Sequence, residues 1–328
     1  SSYFTKIISL FIICSITLVE SFNCPLTPNP HEALQTFIIQ LSPTASKDVI
    51  NNHFAMLTSC FNKKISSDSA IQSSNPSIIR DVSFGSFNCY IGKFGPSDAA
   101  GLANLPEVVN VERDRAFRIN SFPTYFSPPT TTATMIPPTM PINLDRIDQQ
   151  HRPLDGNYTC PKSAGSKVNV YIVDTMSIGG PKSDAVNNAT VEVGKKGVHF
   201  VVAAGNDFGG DTCEISPASA PNAIAVGATV TDTDNITDFS NIGKCVNIFA
   251  PGTDITAAGN RSPIDLLKES GASSASPHVA GTVALIIASS GNGPPDEMKQ
   301  FLDKLSTKNV VGGDLKGSPN RFIRVPRP

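Results

Sequence analysis

Gly271-Ala272-Ser273-Ser274-Ala275-Ser276-Pro277-His278-Val279-Ala280-Gly281 opens a segment that stays apolar nearly all round from Ser274 to Ser290. Val279, Ala280, Val283, Ala284, Leu285, Ile286 and Ile287 leave it no polar face, Pro277 stands near its start and Gly291 at its end. That pattern predicts a central helix buried on every side. Ser273 then lies at a helix N-terminus, where free N–H groups and a partial positive charge suit a nucleophilic oxygen and the oxyanion it generates. A serine in this place also serves as an ordinary N-cap, and the residue alone does not separate the two roles.

Upstream, Val168 to Val173 and His199 to Ala204 are near-continuous apolar runs, the signature of parallel strands buried on both faces, and Ala223 to Ala228 and Val246 to Ala250 add two more. They alternate with helical segments, so this half reads as α/β. Asp174 follows the first run and Asn206 the second. Both fall at the carboxyl ends of strands, the edge where open α/β sheets hold ligands. Singly, each is as often a cap or a turn residue. Met298, Phe301, Leu302 and Leu305, with Asp296 and Glu297 before them and Lys304 among them, predict a second, amphipathic helix at the surface.

The rest of the chain is organised differently. At 328 residues, with a prior of roughly 150 per domain, two domains are expected. Between Ser121 and Ile142, six Pro and six Thr fill 12 of 22 positions without a charge, a composition that resists helix and sheet and marks a linker. Before it come a strand at Phe37–Leu41, a helix opening near Ser46 with Val49, Ile50, Phe54 and Leu57 on one face, a strand over 88–94, a helix over 97–104 and a strand over 108–112. That is a small α+β unit of a size only marginally stable alone. Lys6, the 13-residue apolar run Ile7–Val19 and Val19-Glu20-Ser21 read as a secretory signal peptide; the run is too short to span a membrane, which needs about 20 residues. Four sequons, at Asn157, Asn188, Asn235 and Asn260, and seven cysteines without a CxxC pair agree with export to an oxidising compartment. A formal charge of -2 gives no basic field to hold nucleic acid or an anionic membrane.

Taken in order, the motifs resemble the subtilisin-like serine proteases, and among them the proteinase K branch. The series runs from Asn143-Leu144-Asp145-Arg146-Ile147-Asp148-Gln149 through Val173-Asp174-Thr175, Ser177-Ile178-Gly179-Gly180, Ala203-Ala204-Gly205-Asn206, Ser216-Pro217-Ala218, Phe239-Ser240-Asn241 and Phe249-Ala250-Pro251-Gly252 to the serine motif. The segment from about 35 to 119 looks like the family's I9-type inhibitory propeptide. The resemblance implies a subtilisin-like parallel sheet with flanking helices, truncated, preceded by a ferredoxin-like α+β propeptide domain. Its divisions are a signal peptide over 1–21, propeptide over 22–120, linker over 121–142, catalytic domain over 143–312 and a tail over 313–328. By the same resemblance Ser273 is the nucleophile, Asp174 the acid that orients the base, Asn206 the oxyanion donor, and Ser177, Ile178 and Gly179 the strand on which a polypeptide substrate lies. The expected product is a secreted endopeptidase working through an acyl-enzyme, with its own propeptide as an intramolecular inhibitor.

One departure governs the chemistry. The family's base is a histidine in a His-Gly-Thr-His motif between the Asp and the Ser-x-Gly-Gly strand, and here Thr175 runs directly into Met176-Ser177. The histidines present are His31, His53, His151, His199 and His278, and none matches that position. His278 matches a packing position, since five residues along a helix turn it well away from Ser273. The expected activity is therefore low or absent, and the chain reads alternatively as a pseudoprotease or defective isoform with a residual binding groove, or as a propeptide acting as a protease inhibitor in trans or a folding chaperone. The join also leaves no crossover between Asp174 and Ser177, so the two flanking strands cannot both keep their family places. Cys213 and Cys245 flank the Ser-Pro-Ala and Phe-Ser-Asn motifs as a disulfide does in relatives, which implies their pairing. No cofactor is required. Calcium, which many relatives bind near the carbonyls of Pro221 and Ala223, gains no support from the neutral Asn247 that stands where proteinase K has a carboxylate.

Overall fold

Alternating apolar residues in Gln35–Leu41 put Phe37, Ile39 and Leu41 on one face of a strand, β1, and make it the centre of an N-terminal sheet. The computed structural model describes residues 24, 26, 32–65, 76–115, 140–171, 179–259 and 266–327, with the backbone alone for 61–65. The signal segment, nearly all of the linker, His31, Asp174, Ser177, Ile178 and Asn260 lie outside the described residues. The chain divides into two compact units, residues 1–115 and 116–328.

In the first unit, α1 (Lys47–Ile65) starts at Ser46, whose Oγ accepts a hydrogen bond from the Val49 amide at 3.3 Å. Then come β2 (Ser77–Asp81), β3 (Asn88–Phe94), α2 (Pro96–Ala103) and β4 (Val108–Arg113). The strands form an antiparallel sheet in the order β2-β3-β1-β4, with Ile39 opposite Tyr90 on one side and Val111 on the other. Leu57, Tyr90, Phe94 and Leu102 close the core. Val49, expected on the buried face of α1, is 40% exposed; it falls at the margin of a stripe whose centre is taken by His53, Leu57 and Cys60. Strand β2 was not legible in the sequence because it is a polar edge, mostly exposed, with nothing to alternate. A Cys24–Cys60 disulfide closes the unit on itself. In a core this small, closing that loop contributes about 4 kcal/mol.

The second unit begins with α3 (Ile142–Asp148), followed by β5 (Gly180–Pro181), α4 (Asp184–Gly194), β6 (Val201–Ala203), β7 (Ile215–Ser216), β8 (Ile224–Thr229) and β9 (Ile248–Pro251). The hairpin β10 (Ile255–Ala258) and β11 (Leu266–Glu269) leads into α5 (Ala272–Ser290), α6 (Pro295–Leu305), β12 (Thr307–Lys308) and β13 (Arg321–Phe322). Five strands form the main sheet in the order β12-β13-β9-β8-β6, parallel except for β12. The central strands β8 and β9 are buried throughout, and α5 packs across β6, β8 and β9. Amphipathic α6 buries Met298 and Leu302 and leaves Phe301 outside. Phe322, Ile323 and Val325 sit in the core, so the stretch over 313–328, set apart as a tail by sequence, completes the sheet and its packing.

Two strand expectations are corrected. Val168–Tyr171 has no regular structure and is largely exposed, Tyr171 at 84%, while Ile172 and Val173 lie outside the described residues. Strand β6 is half-buried and ends the sheet among the described residues. Both follow from one cause: a parallel strand needs a crossover of a dozen or more residues to reach its neighbour, and the passage from Asp174 to Ser177 supplies none.

The start of this unit is held by charge. Arg146, 1% exposed, forks onto Asp234 at 2.9 to 3.0 Å, donates to the Gln149 carbonyl and lies 4.1 Å over the Phe322 ring. Arg152 reaches the same carboxylate at 3.2 Å. Asp234→Ala leaves a buried guanidinium unpaired, and the expected loss is about 3 to 5 kcal/mol of unfolding free energy, read from the urea midpoint of the second unit.

Candidate active site

At the carboxyl end of the parallel sheet, the chain leaving β6 turns at Gly205 and presents Asn206. Gly205 has φ +112°, and a Cβ there would meet Asn241 Nδ2 at 2.2 Å, so only glycine fits. From β9 the chain reaches Gly252, whose carbonyl accepts from the Gly271 amide at 2.8 Å. A Cβ on Gly252 would lie 2.5 Å from that of Ala228, so this approach also requires glycine. Helix α5 starts at this seam. Its Ala272 N–H donates to Asn206 Oδ1 at 2.9 Å, which satisfies one of the orphan amides of a helix start and fixes the Asn206 side chain. With Oδ1 engaged, the Nδ2 end of the amide is the donor left for a ligand.

Ser273 follows at once. Among the described residues its backbone N–H and its Oγ have no hydrogen-bond partner, and the residue is only partly buried. A free hydroxyl, a free amide and the Asn206 carboxamide therefore converge on one helix N-terminus. That set can stabilise an oxygen anion formed by attack of Ser273 Oγ. Pro277 lies inside α5 and cannot donate to the carbonyl four residues back. The Ser276 hydroxyl takes that role, donating to the Ser273 carbonyl at 3.3 Å.

No described histidine is bonded to Ser273. His278 is buried, with Nδ1 3.0 Å from the Ser274 carbonyl and Nε2 2.9 Å from Asn143 Nδ2. A carbonyl can only accept, so Nδ1 carries the proton and Nε2 accepts from Asn143. Burial pushes the imidazole down to about 4, against the smaller opposing effect of its backbone bonds. His199 Nε2 is 2.7 Å from Asn292 Oδ1, and its Nδ1 is buried without a partner. His53 belongs to the first unit, where its ring bridges Glu107 at 2.7 Å and the Tyr90 hydroxyl at 2.9 Å. His151 is exposed.

Gly179 lies beside Ser216, and the β5 pairing of Gly180 with Ser216 holds the chain just after the expected substrate strand. Ser216 is fully buried, its Oγ accepting from the Ser183 amide and donating to Asn187 Oδ1 at 2.8 Å. Cys213 and Cys245 form a disulfide with Cα atoms 5.2 Å apart; Cys89 and Cys160 are free thiols, and burial pushes the Cys89 thiol up to about 12. Asn157, Asn188 and Asn235 are exposed.

Calcium fits poorly near Pro221. The Lys299 ammonium already donates to the Pro221 carbonyl, and Asn247 Oδ1 accepts from the Ala225 amide at 2.7 Å. Burial lowers the Lys299 pKa, which marks an ammonium partly withdrawn from water. A dication on the same carbonyl would face that charge with no carboxylate to balance it. Among the described residues no group of three or more His, Cys, Asp or Glu converges as a metal site. Nor is any described helix long and apolar enough to cross a membrane.

Comparison with known proteins bears directly on this geometry. A family model described as the subtilase family matches residues 156–319, half of the chain. The chain belongs to the subtilase family. A second model, peptidase inhibitor I9, matches residues 36–120. The alkaline protease 1 of Aspergillus clavatus is 44% identical over 147 residues, which are 45% of this chain and 36% of that protein. A cuticle-degrading serine protease of Arthrobotrys oligospora is 40% identical over 153 residues, 46% of this chain and 37% of its own. An extracellular serine proteinase of a Thermus species is 42% identical over 154 residues, 47% of this chain and 37% of its own. This subtilase thus spans little more than a third of the length of the curated relatives it matches. The crystal structure of a cold adapted subtilisin-like serine proteinase superposes with TM-score 0.51 at 25% identity, covering 57% of this chain and 98% of that one. Its likeness supports the α/β architecture of parallel sheet and flanking helices, with the I9 domain ahead of it.

Sequence reasoning missed three features of this subtilase: the clamp of Asn241 on the Asn206 loop, the Lys299 cap on Pro221 and the Cys24–Cys60 bond. Only the last left a trace, in the three cysteines, Cys24, Cys60 and Cys89, that stand between the apolar run at the start and the linker.

The buried His278 sets a pH limit on the fold. Its folded pKa, about 4, lies below the ordinary 6.5, so its contribution is complete above about 6.5, declines as pH falls and is gone below about 4. Across that window the expected loss is about 3 kcal/mol, read from unfolding midpoints at successive pH values. His278→Gln, which keeps a donor and does not titrate, flattens the slope.

Proposed function

We propose that this chain is a secreted subtilase whose acyl-transfer centre binds polypeptides but turns them over slowly, because the general base is absent. Ser273 is the nucleophile, Asn206 the oxyanion donor and Asp174 the carboxylate that in a complete triad would orient the base. Ser177, Ile178 and Gly179 carry the substrate backbone. The observation that supports this reading is a free Ser273 hydroxyl and amide at the helix start where the Ala272 amide is bonded to Asn206, on the same helix as a His278 whose two nitrogens are already committed. In a dissected subtilisin, loss of the triad Ser or His lowers turnover by roughly 2 × 10⁶ and leaves about 10³ to 10⁴ over water, from the oxyanion hole and binding.

The I9 unit over 22–120 is the inhibitory propeptide, the stretch over 121–142 its linker, and 143–312 together with 313–328 the catalytic half. Two disulfides accord with an oxidising compartment, and the sequons at Asn157, Asn188, Asn235 and Asn260 with passage through it. The acyl-transfer step as proposed requires no cofactor. A second reading rests on the first unit, which closes its own core and its own disulfide: the chain then acts in trans as an inhibitor of active subtilases.

Casein hydrolysis and fluorophosphonate labelling of the purified chain test the first reading. Turnover is expected about 10⁶-fold below that of a complete triad, with the residual labelling lost in Ser273→Ala. Rapid turnover that vanishes in the same variant would show that a base is operating. For the second reading, the chain is titrated into an active subtilisin; absence of inhibition at micromolar concentration, which corresponds to about 8 kcal/mol of binding, removes it.

A further inference from the structure

Asn241 is fully buried and puts its backbone amide and both polar atoms of its side chain on one loop. Its amide donates to the Gly205 carbonyl at 3.0 Å, its Oδ1 accepts from the Asp207 amide at 2.7 Å and its Nδ2 donates to Asp207 Oδ2 at 2.8 Å. These bonds bracket Asn206 on both sides. The neighbouring backbone extends the clamp: Phe208 donates to the Phe239 carbonyl, Gly209 to that of Ser240 and Ile242 to that of Gly210, at 3.1, 3.2 and 3.0 Å. Behind it the stretch is rooted in the sheet, since Ser240 Oγ accepts from the Ala228 amide at 3.0 Å and Thr237 donates to the Ala228 carbonyl at 3.1 Å. A continuous path of bonds therefore leads from β8 through Asn241 to Asn206, and from Asn206 Oδ1 to the Ala272 amide beside Ser273.

We infer that Asn241 is a positioning residue for the oxyanion site: it sets the Gly205–Asp207 turn so that the Asn206 carboxamide faces the start of α5. The inference rests on the reading of Asn206 as the oxyanion donor. Asn206 itself has one bond to the helix and sits on a loop that starts at a half-buried edge strand, so its orientation depends on what holds the turn. Asn241 holds it with two side-chain bonds and one backbone bond. Asn241 meets the Asp207 amide and its carboxylate from two different atoms, a separation that the single hydroxyl oxygen of Ser or Thr does not provide.

The Ala272 amide reports the effect, because at a helix start its one acceptor is Asn206 Oδ1. In full-length protein labelled with ¹⁵N-alanine, Asn241→Asp sets a carboxylate against that of Asp207, and the Ala272 amide is expected to exchange about tenfold faster while Ala225 and Ala228 in β8 keep their wild-type rates. The affinity for a peptidyl boronic acid, whose adduct on Ser273 places an oxygen at the Asn206 amide, falls by about the same factor. The double variant Asn241→Asp with Asp207→Asn returns a donor to face the new carboxylate and restores both readings to within about threefold. Should Asn241→Asp not fold, Asp207→Ala removes one clamp bond from an exposed position, and the same Ala272 shift is expected in smaller measure. An unchanged Ala272 rate in a folded variant, or an equal rise at Ala225 and Ala228, overturns the inference. If Ala272 responds as expected but the wild-type chain does not bind the boronate, the positioning role stands and the oxyanion reading of Asn206 falls.

Discussion

The start of α5 is held by two backbone donors that no helix can satisfy internally: the Gly271 amide on the Gly252 carbonyl, and the Ala272 amide on Asn206. Everything chemical in the second unit depends on this seam. It ties the ends of β6 and β9 to one helix terminus, and it uses two of the orphan amides while leaving that of Ser273 open. The strands beneath it are fixed by register, Val202 beside Ala225 and Gly227 beside Phe249, so the loops that leave them arrive in a constant relation. Glycine is required at both loops: Gly205 has a positive φ and the Asn241 side chain against it, and Gly252 stands where its backbone closes on Ala228 and the Gly271 carbonyl.

On the proposed roles of Ser273 and Asn206, the site is an electrostatic device before it is a catalytic one. The helix terminus and the Asn206 carboxamide stabilise negative charge wherever it forms, whether or not a base removes the serine proton. The two parts are separable because they come from different segments of chain. The oxyanion side is built by β6, β8, β9 and α5, all described and well packed. In the family the base side comes from the stretch between the Asp and the Ser-x-Gly-Gly motif, which is where this chain passes directly from Thr175 to Met176. Loss of one side leaves the geometry of the other intact, and the burial of β8 and β9 shows why: they pack against α3, α5, β6 and β13, none of which draws on the stretch around Thr175 and Met176.

Legibility in the sequence followed burial. The all-round apolar run after Ser274 and the runs at 223–228 and 246–250 declare central elements, because an element buried on every side has a single composition available to it. Where one side of an element is missing, the same signal misleads. Val168-Asn169-Val170-Tyr171 has the composition of a buried strand and lies exposed, since composition records the neighbours a segment is suited to and not those it has. The polar clamps were unreadable for the opposite reason. Asn241, Asp207 and Lys299 are ordinary surface residues by type, and the bonds that matter join positions 34 and 78 residues apart.

His278 shows how context turns a reactive residue type into a structural one. It stands five residues from Ser273 on the same helix, the spacing that most invites a catalytic reading of a serine and a histidine. About 500° of helical rotation carries it away from the nucleophile, and the Ser274 carbonyl and the Asn143 amide then fix it as a neutral tautomer. A proton arriving on Nε2 would meet the Asn143 donor, so the ring resists the one step that a general base must perform. The imidazole joins α3 to α5 across the core, and its cost in acid is the consequence of that role. For Ser273, a histidine on the neighbouring turn is therefore no substitute for one supplied from another strand, where direction as well as proximity is set.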